Sequence, residues 1–486
     1  MEKRSHLHNH SPWIRQLKLE HPLDTLKSDA QADVVIIGGG IAGVVTAYFT
    51  LKNTKKKVIL IEAGRVAHGA TGHNAGQVVA YFERPFADLV KEFGLKKAGQ
   101  AQKDILSAWQ LLAQIRKDAC METPISVFEG FAGCASIDQV NAHLHNRLLR
   151  KKAGIVMDRV FVSDEVDESK IERRFRGLYN VVSHASILAK LETNDTRYVA
   201  ALETQKGCMN SALFCEEIVG FLLSKYKGRF KLFENSPVAE LRLFKSSAVL
   251  KIREHQVLAG RVVLCTNGFE NIRSRTVDQS DIDGKFHEYV HGVVGFMAGF
   301  VEHKVKPPTA ISYFRKTSMK SSDPYFYMTR RFYEEEHKSH HTLVCAGGPE
   351  LMLGEKVKYR KDKNYKPSAF DQIDRFLRGS YYQMPCRAIL YRFRWHGLMG
   401  YTSSGIRLVG EEPCNKTLLY NLGCNGIGIL PSIFGGKRIA DILGGKKVAS
   451  SIFDPQERTC MPKSMSGHRE LVKKVHAAHH GKRLHL

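Results

Sequence analysis

The sequence predicts an α/β protein. A mostly parallel sheet is assembled from separated stretches of chain, and an α+β domain with a mostly antiparallel sheet is inserted between them. Three observations predict this. Near the N-terminus a β-branched run, residues 34–37, opens into three spaced glycines, Gly38, Gly40 and Gly43, and then an apolar stretch. Near the C-terminus the run 419–422 opens into a second glycine-rich turn, Gly423, Gly426 and Gly428, ahead of another helical pattern. Between them, β-branched and aromatic runs are bounded by Pro, Gly and polar turns, as strands of an antiparallel sheet are.

The run 34–37 suits a parallel strand buried on both faces. Gly38 permits a tight turn, Gly40 lets the backbone approach a pyrophosphate, and Gly43 lets the following helix pack on the sheet. That helix is predicted over 41–51, so the amides of Ile41, Ala42 and Gly43 point at the phosphates. A second strand, 58–61, ends in Glu62, a partner for the ribose hydroxyls that disfavours a 2′-phosphate. Strand, glycines, helix and acid together mark a dinucleotide site; the glycines alone would not.

The loop Ala70-Thr71-Gly72-His73-Asn74-Ala75-Gly76-Gln77 is rich in small and hydrogen-bonding residues. With the glycine fingerprint and Glu62-Ala63-Gly64, it resembles the D-amino-acid oxidase superfamily of flavoproteins. The family's version of the loop is Gly-Ala-Ser/Thr-Gly-Arg-Asn-Gly-Gly, and His73 and Ala75 depart from it. Ser11-Pro12-Trp13 and the loop ending Asn-Ala-Gly-Gln are closest in feel to the gamma-glutamylputrescine oxidase-like branch. The resemblance covers roughly 31–82, 196–272 and 393–445.

The resemblance implies a Rossmann-like FAD-binding domain, with the loop 70–77 against flavin and pyrophosphate. It implies that Val238 packs against adenine through its backbone. Thr266, Asn267 and Gly268 close the strand that returns to the nucleotide fold. Gly423, Asn425, Gly426, Ile427, Gly428 and Ile429 would form the loop and helix start at the flavin, where a positive helix end favours reduction. Met399-Gly400 precedes Tyr401-Thr402 where sarcosine oxidase-like branches carry a flavin-linked cysteine, so the implied FAD is non-covalent. Leu430 stands where those branches carry a substrate-binding lysine.

The expected organisation is an N-terminal extension over 1–30 and an FAD-binding domain from 31–84, 196–274 and 393–446. A substrate domain comes from 85–195 and 275–392, and a basic, His-rich flexible tail covers 447–486. Residues 86–117 read as helical. Strands are expected at 289–301, 310–314, 325–330 and 342–346.

The chain has 486 residues, enough for two or three domains. Lysine and arginine number 73 against 49 acidic residues, a net charge of +24 that attracts anions. The basic residues are spread along the chain, so no specific nucleic acid is expected. Ten cysteines show no Cys-x-x-Cys spacing, and no disulfide framework or metal site is expected. The first thirteen residues are polar, and the apolar run 34–51 is interrupted by four glycines. A cytoplasmic protein with no transmembrane segment is expected, with peripheral membrane contact left open.

The expected chemistry is oxidation of a C–N bond of a small amine or amino acid by hydride transfer to flavin N5, with oxygen or another acceptor taking the electrons. Substrate-side candidates are Gln77, Tyr325, Tyr327, Arg330, Trp395 and His396. Aromatics can wall an amine, and an arginine can hold a carboxylate. Strand alternation sets Tyr325 and Tyr327 on the face opposite Arg330, so they cannot all line one pocket. Two alternatives stand beside this: a flavoenzyme acting on a modified tRNA nucleoside, and a membrane-surface dehydrogenase feeding quinone.

Overall fold

The structure is a computed structural model that describes residues 9–18, 21–268, 272–276, 282, 290–314, 325–334, 340–354, 357–381 and 388–456. Two large sheets dominate it. The centre of the first is five parallel strands in the order Phe230–Phe233, Val58–Ile61, Ala30–Ile37, His255–Leu264, Leu418–Leu422. Alternation assigns their side chains to two cores. Val34, Ile36, Val58, Leu60 and Val263 face one apolar cluster, and Val35, Ile37, Ile59, Ile61, Val262 and Leu264 face another. A sheet buried on both faces demands the continuous apolar runs seen in the sequence. An antiparallel wing, Glu240–Leu243 and Ala248–Ile252, extends from the early half of the 255–264 strand.

Because these strands are parallel, Ile37, Ile61, Leu264 and Leu422 end at one edge, where ligands of such sheets bind. Helices Ile41–Asn53 and Ile429–Leu443 both start from this edge and pack on each other. Their contact needs Gly436, whose Cβ would lie 2.9 Å from Val45 Cγ2 and 3.0 Å from the Thr46 amide.

The second sheet is mostly antiparallel. It runs Phe393–Thr402, Val290–Glu302, His340–Met352, Phe326–Glu334, Thr309–Tyr313, Ile125–Cys134, Ala200–Met209, Asp158–Ser163 and Asn180–Val182, and Gln77–Val79 joins it through Ala200–Met209. Helix Pro367–Ser380 covers one face, with Phe376 stacked on Phe326 at 4.4 Å.

Several expectations change in detail. The helical stretch 86–117 is two helices, Phe86–Phe93 and Leu95–Asp118, broken at Gly94 with φ +79°. Strands 200–209 and 393–402, grouped from sequence with the nucleotide-binding segments, pair in the second sheet. Residues 447–456 do not form a free tail. Phe453 is buried, its carbonyl accepts from the Val409 amide, and its ring stacks on Phe82 at 6.0 Å. Residues 457–486, the rest of the expected tail, lie outside the described residues. Cys414 is disulfide-bonded, and seven described cysteines are free thiols.

Candidate active site

The first glycine turn is built by close backbone approach. Gly38 has φ +108°, and a Cβ there would lie 2.6 Å from the Cys265 carbonyl oxygen. A Cβ on Gly43 would lie 1.8 Å from the Gly38 carbonyl oxygen, so only hydrogen fits where helix meets turn. The first helical bond is Val44 N–H to Gly40 O at 3.0 Å. The amides of Ala42 and Gly43 therefore precede any helical acceptor. Ile41 donates to Thr71 Oγ1 at 3.0 Å, which ties the helix start to the 70–77 loop. Glu62 accepts from the Gly39 amide at 2.7 Å and from the Gly64 amide at 2.8 Å. These bonds aim its carboxylate over the turn. Burial raises its pKa, against the pull of both amides and the charge of Lys361. Ala63 lies between Glu62 and Gly64. Val238 is buried near this end, two residues past Ser236, whose amide donates to the Glu62 carbonyl.

The 70–77 loop is organised by Asn74. Its Nδ2 donates to the Thr71 carbonyl and to Ser211 Oγ, both at 2.8 Å, and its Oδ1 accepts from the Gly76 amide at 2.7 Å. Its carbonyl accepts from Trp13 Nε1 at 2.6 Å and from Trp395 Nε1 at 3.3 Å. Two indoles from opposite ends of the chain thus hold this loop. Ala70 and Gly72 bound a single 3-10 turn, and Ala75 packs against the main core. Gly72 and Gly76 leave room for Ile14 and Trp13: a Cβ on either would approach those side chains to 2.3 and 2.7 Å. His73, where the family carries Arg, bonds the Gly69 carbonyl at 3.0 Å, and burial pushes its pKa down to about 4.

The C-terminal loop is pinned by two asparagines. Asn267, at φ +62°, donates to the Leu398 carbonyl and accepts from the Cys424 amide at 3.0 Å. It lies between Thr266 and Gly268, where φ is +95° and a Cβ would meet Val290 at 2.5 Å. Asn425, at φ +45°, accepts from the Thr402 amide at 2.8 Å and donates to the Gly423 carbonyl at 3.1 Å. The side chains of Asn267 and Asn425 thus shape backbone, the Gly426 amide bonds the Cys424 thiol and the Ile427 amide donates to the Cys424 carbonyl at 3.0 Å, which leaves Gly428 and Ile429 to present amides. Helix Ile429–Leu443 has no side-chain cap, and its third residue is Pro431, so its open end is made of backbone alone.

Of the substrate-side candidates, Tyr325 and Tyr327 converge and the others do not. Tyr325 Oη donates to Glu83 Oε1 at 3.2 Å, and the two tyrosine rings lie 5.8 Å apart. Arg330 points to the opposite face as alternation requires, and both its terminal nitrogens bond Glu192, at 2.6 and 2.8 Å. It is buried and committed, which removes it as a carboxylate clamp for substrate. Trp395 is fully buried in the core, and its one donor goes to Asn74. His396 lies between Tyr359 and the Lys363 carbonyl, each at 3.0 Å. Both are scaffold. Gln77 starts its strand opposite Cys208, and its buried Nε2 has no hydrogen-bond partner.

Sequence reasoning missed Tyr81, Glu83, Tyr401 and Lys206. A Cβ on Gly426 would lie 2.6 Å from Tyr401 Oη and 3.4 Å from Glu83 Oε2, so these side chains adjoin the C-terminal glycine loop. Lys206 donates to the Phe131 carbonyl at 2.9 Å and to Ser312 Oγ at 3.4 Å, and burial lowers its pKa to about 7. The available signal was the run Tyr81-Phe82-Glu83, a charge among aromatics just past the 70–77 loop.

These residues fit FAD. The glycine turns at 38–43 and 423–428 open on one edge, Glu62 is aimed at the first, and the Gln77 amide, whose Nε2 has no hydrogen-bond partner, lies at the end of the loop. Among the described residues no helix is long and apolar enough to cross a membrane, and no group of three His, Cys, Asp or Glu is arranged to hold a metal.

Comparison with known proteins agrees. Residues 33–442 match the family described as FAD dependent oxidoreductase (DAO). The chain is 41% identical over 73 residues to the putative Rieske 2Fe-2S iron-sulfur protein YhfW of Bacillus subtilis (strain 168), covering 15% of this chain and 14% of that one. It is 32% identical over 91 residues to gamma-glutamylputrescine oxidoreductase of Escherichia coli (strain K12), covering 19% and 21%. These matches thus span about a fifth or less of each relative. The fold is similar to that of glycine oxidase from Geobacillus kaustophilus, with a TM-score of 0.61 at 15% identity, over 87% of this chain and 98% of that one. With the family matched along most of its length and both glycine turns in place, the chain belongs to the DAO family of FAD-dependent oxidoreductases and is an enzyme that uses FAD.

Proposed function

We propose that the protein oxidises a C–N bond of a small amine or amino acid. The observation that carries this is the cluster of Tyr81, Tyr325, Tyr327 and Tyr401 around Glu83, directly beside the glycine loop at Gly426. FAD, when bound, supplies the hydride acceptor and so does the electronic work. The protein's task is to hold the donor carbon near the ring and exclude water.

In this reading the amides of Ala42 and Gly43 hold the pyrophosphate and Glu62 the ribose. Loop 70–77 and the open end of helix Ile429–Leu443 hold the ring without a covalent bond. The tyrosines wall the substrate. Burial raises Tyr81 and Tyr327 above the usual phenol range and Tyr325 well above it, so all three stay neutral donors. The local match to a gamma-glutamylputrescine oxidoreductase supports an amine or amino-acid donor.

The test is anaerobic mixing of the FAD-loaded protein with a panel of amines and amino acids. Loss of the yellow colour with one of them, and release of the matching carbonyl compound, is the expected result. Flavin that dithionite bleaches and no member of the panel does would end this reading.

A further inference from the structure

Resting on the cofactor placement of that reading, and not on its substrate class, we propose that Lys361 supplies the cation that meets the FAD pyrophosphate at the first glycine turn. The stretch 64–68 lies across that turn, because the Ala67 amide donates to the Gly39 carbonyl at 3.0 Å. The carbonyl of the next residue, His68, accepts from Lys361 Nζ at 2.6 Å. Among the described residues this ammonium makes no other hydrogen bond, and no carboxylate lies at ion-pair distance from it. Its charge reaches Glu62, His68 and His73.

Lys361 comes from the other part of the molecule, between strand His340–Met352 and helix Pro367–Ser380 of the second sheet. The segment around it is a clip built on His396. Tyr359 and Tyr365 stack at 5.7 Å, and both set their rings edge-on to His396, at 5.5 and 5.2 Å. Tyr359 Oη bonds His396 Nδ1, and the Lys363 carbonyl meets His396 Nε2, each at 3.0 Å. A Cβ on the adjoining Gly397 would lie 2.4 Å from the His73 carbonyl oxygen, so the strand that anchors the clip packs on the 70–77 loop. His396 thus holds at the nucleotide site a lysine that the second sheet contributes.

A helix start offers about half a positive charge, whereas a pyrophosphate is a dianion. The other basic groups of this region do not make up the difference. Burial holds His68 below the usual imidazole range and pushes His73 down to about 4, and Arg65 is bonded to Glu234 at 3.3 Å. Burial lowers the Lys361 pKa and the charge of Glu62 supports it, so a phosphate beside the ammonium would support it further. Glu62 is itself an anion that the pyrophosphate must approach, and a full cation beside both offsets that repulsion.

Lys361 is exposed, so a neutral replacement leaves the core untouched. Full-length protein stripped of flavin is titrated with FAD, and quenching of flavin fluorescence is read at about 50 mM and about 500 mM KCl. Lys361→Gln is expected to bind FAD about tenfold more weakly at low salt and to approach wild type at high salt, where a charge contact is screened. Lys361→Arg is expected to keep most of the affinity. Equal affinity of Lys361→Gln and wild type at low salt overturns the proposal. So does a deficit that Lys361→Arg shares in full, since that assigns the lysine to packing and not to charge. A Glu62→Gln background separates pyrophosphate from ribose. The loss caused by Lys361→Gln is expected to persist there, and its disappearance would mean that the lysine serves the carboxylate alone, which also overturns the proposal. No step of this test uses a substrate. Its failure leaves C–N oxidation standing, and an amine and amino-acid panel that fails to bleach the flavin leaves the role of Lys361 standing.

Discussion

Asn421 Nδ2 donates to Thr46 Oγ1 and to the Ser432 carbonyl, each at 3.1 Å, so one buried amide joins the last parallel strand to both site helices. Its Oδ1 accepts from Arg407 Nε at 2.8 Å. Asn421→Ala strips these bonds and leaves the buried Arg407 short of an acceptor. The expected loss is about 3 kcal/mol of stability, read by urea unfolding, with lower FAD affinity at the same time.

Gly43 admits no side chain, since a Cβ would lie 1.8 Å from the Gly38 carbonyl oxygen. Gly43→Ala must push the helix off the turn, at a cost of about 1–3 kcal/mol. Purified variant protein is expected to carry little FAD, measured by absorbance, while the second sheet keeps its structure. Full FAD content in this variant would contradict the role given to the turn.

Trp395 holds the 70–77 loop through the Asn74 carbonyl. Trp395→Phe keeps an aromatic ring in the core and removes the donor to the Asn74 carbonyl. A net hydrogen bond is worth about 1 kcal/mol. FAD affinity is expected to fall by about fivefold in equilibrium titration, with the same substrate preference. A changed substrate preference would restore Trp395 to the substrate wall.

Arg330 separates a structural ion pair from a substrate clamp. Arg330→Ala takes both of its bonds from Glu192 at a largely buried site, and the expected cost is about 3 kcal/mol. In protein that remains folded at low temperature, KM for substrate is expected to stay near the wild-type value. A large rise in KM with stability unchanged would mean that Arg330 holds substrate.

His143 gives the stability a pH dependence of known sign. Burial, helped by the charge of Arg150, lowers its pKa from 6.5 to about 4. The unfolded chain then takes up the proton first, so stability is full above 6.5 and falls as pH drops towards 4. Urea midpoints are expected to decline across that window, and His143→Phe, beside Phe314 at 5.4 Å, to flatten part of the decline.

The parallel sheet and both glycine turns were legible because their causes are local. A strand buried on both faces needs an unbroken apolar run, and a turn that a backbone must approach needs glycine. The helix expected over 41–51 is Ile41–Asn53, and the strand at 58–61 matches Val58–Ile61. The substrate side was only half legible. Alternation separated Tyr325 and Tyr327 from Arg330, but the partner that commits Arg330 is Glu192, over a hundred residues away in sequence. Glu83 meets Tyr325 across a similarly long stretch of chain. Pairings of that range are set by how strands align between sheets, and no local pattern encodes them.

The central claim is that one FAD spans the two glycine turns and is held without a covalent bond. Its most direct measurement is the flavin released when purified protein is denatured and filtered. One FAD per chain in the filtrate is the expected result. Colourless protein that takes up no added FAD, or flavin that stays with the precipitated chain, would contradict it.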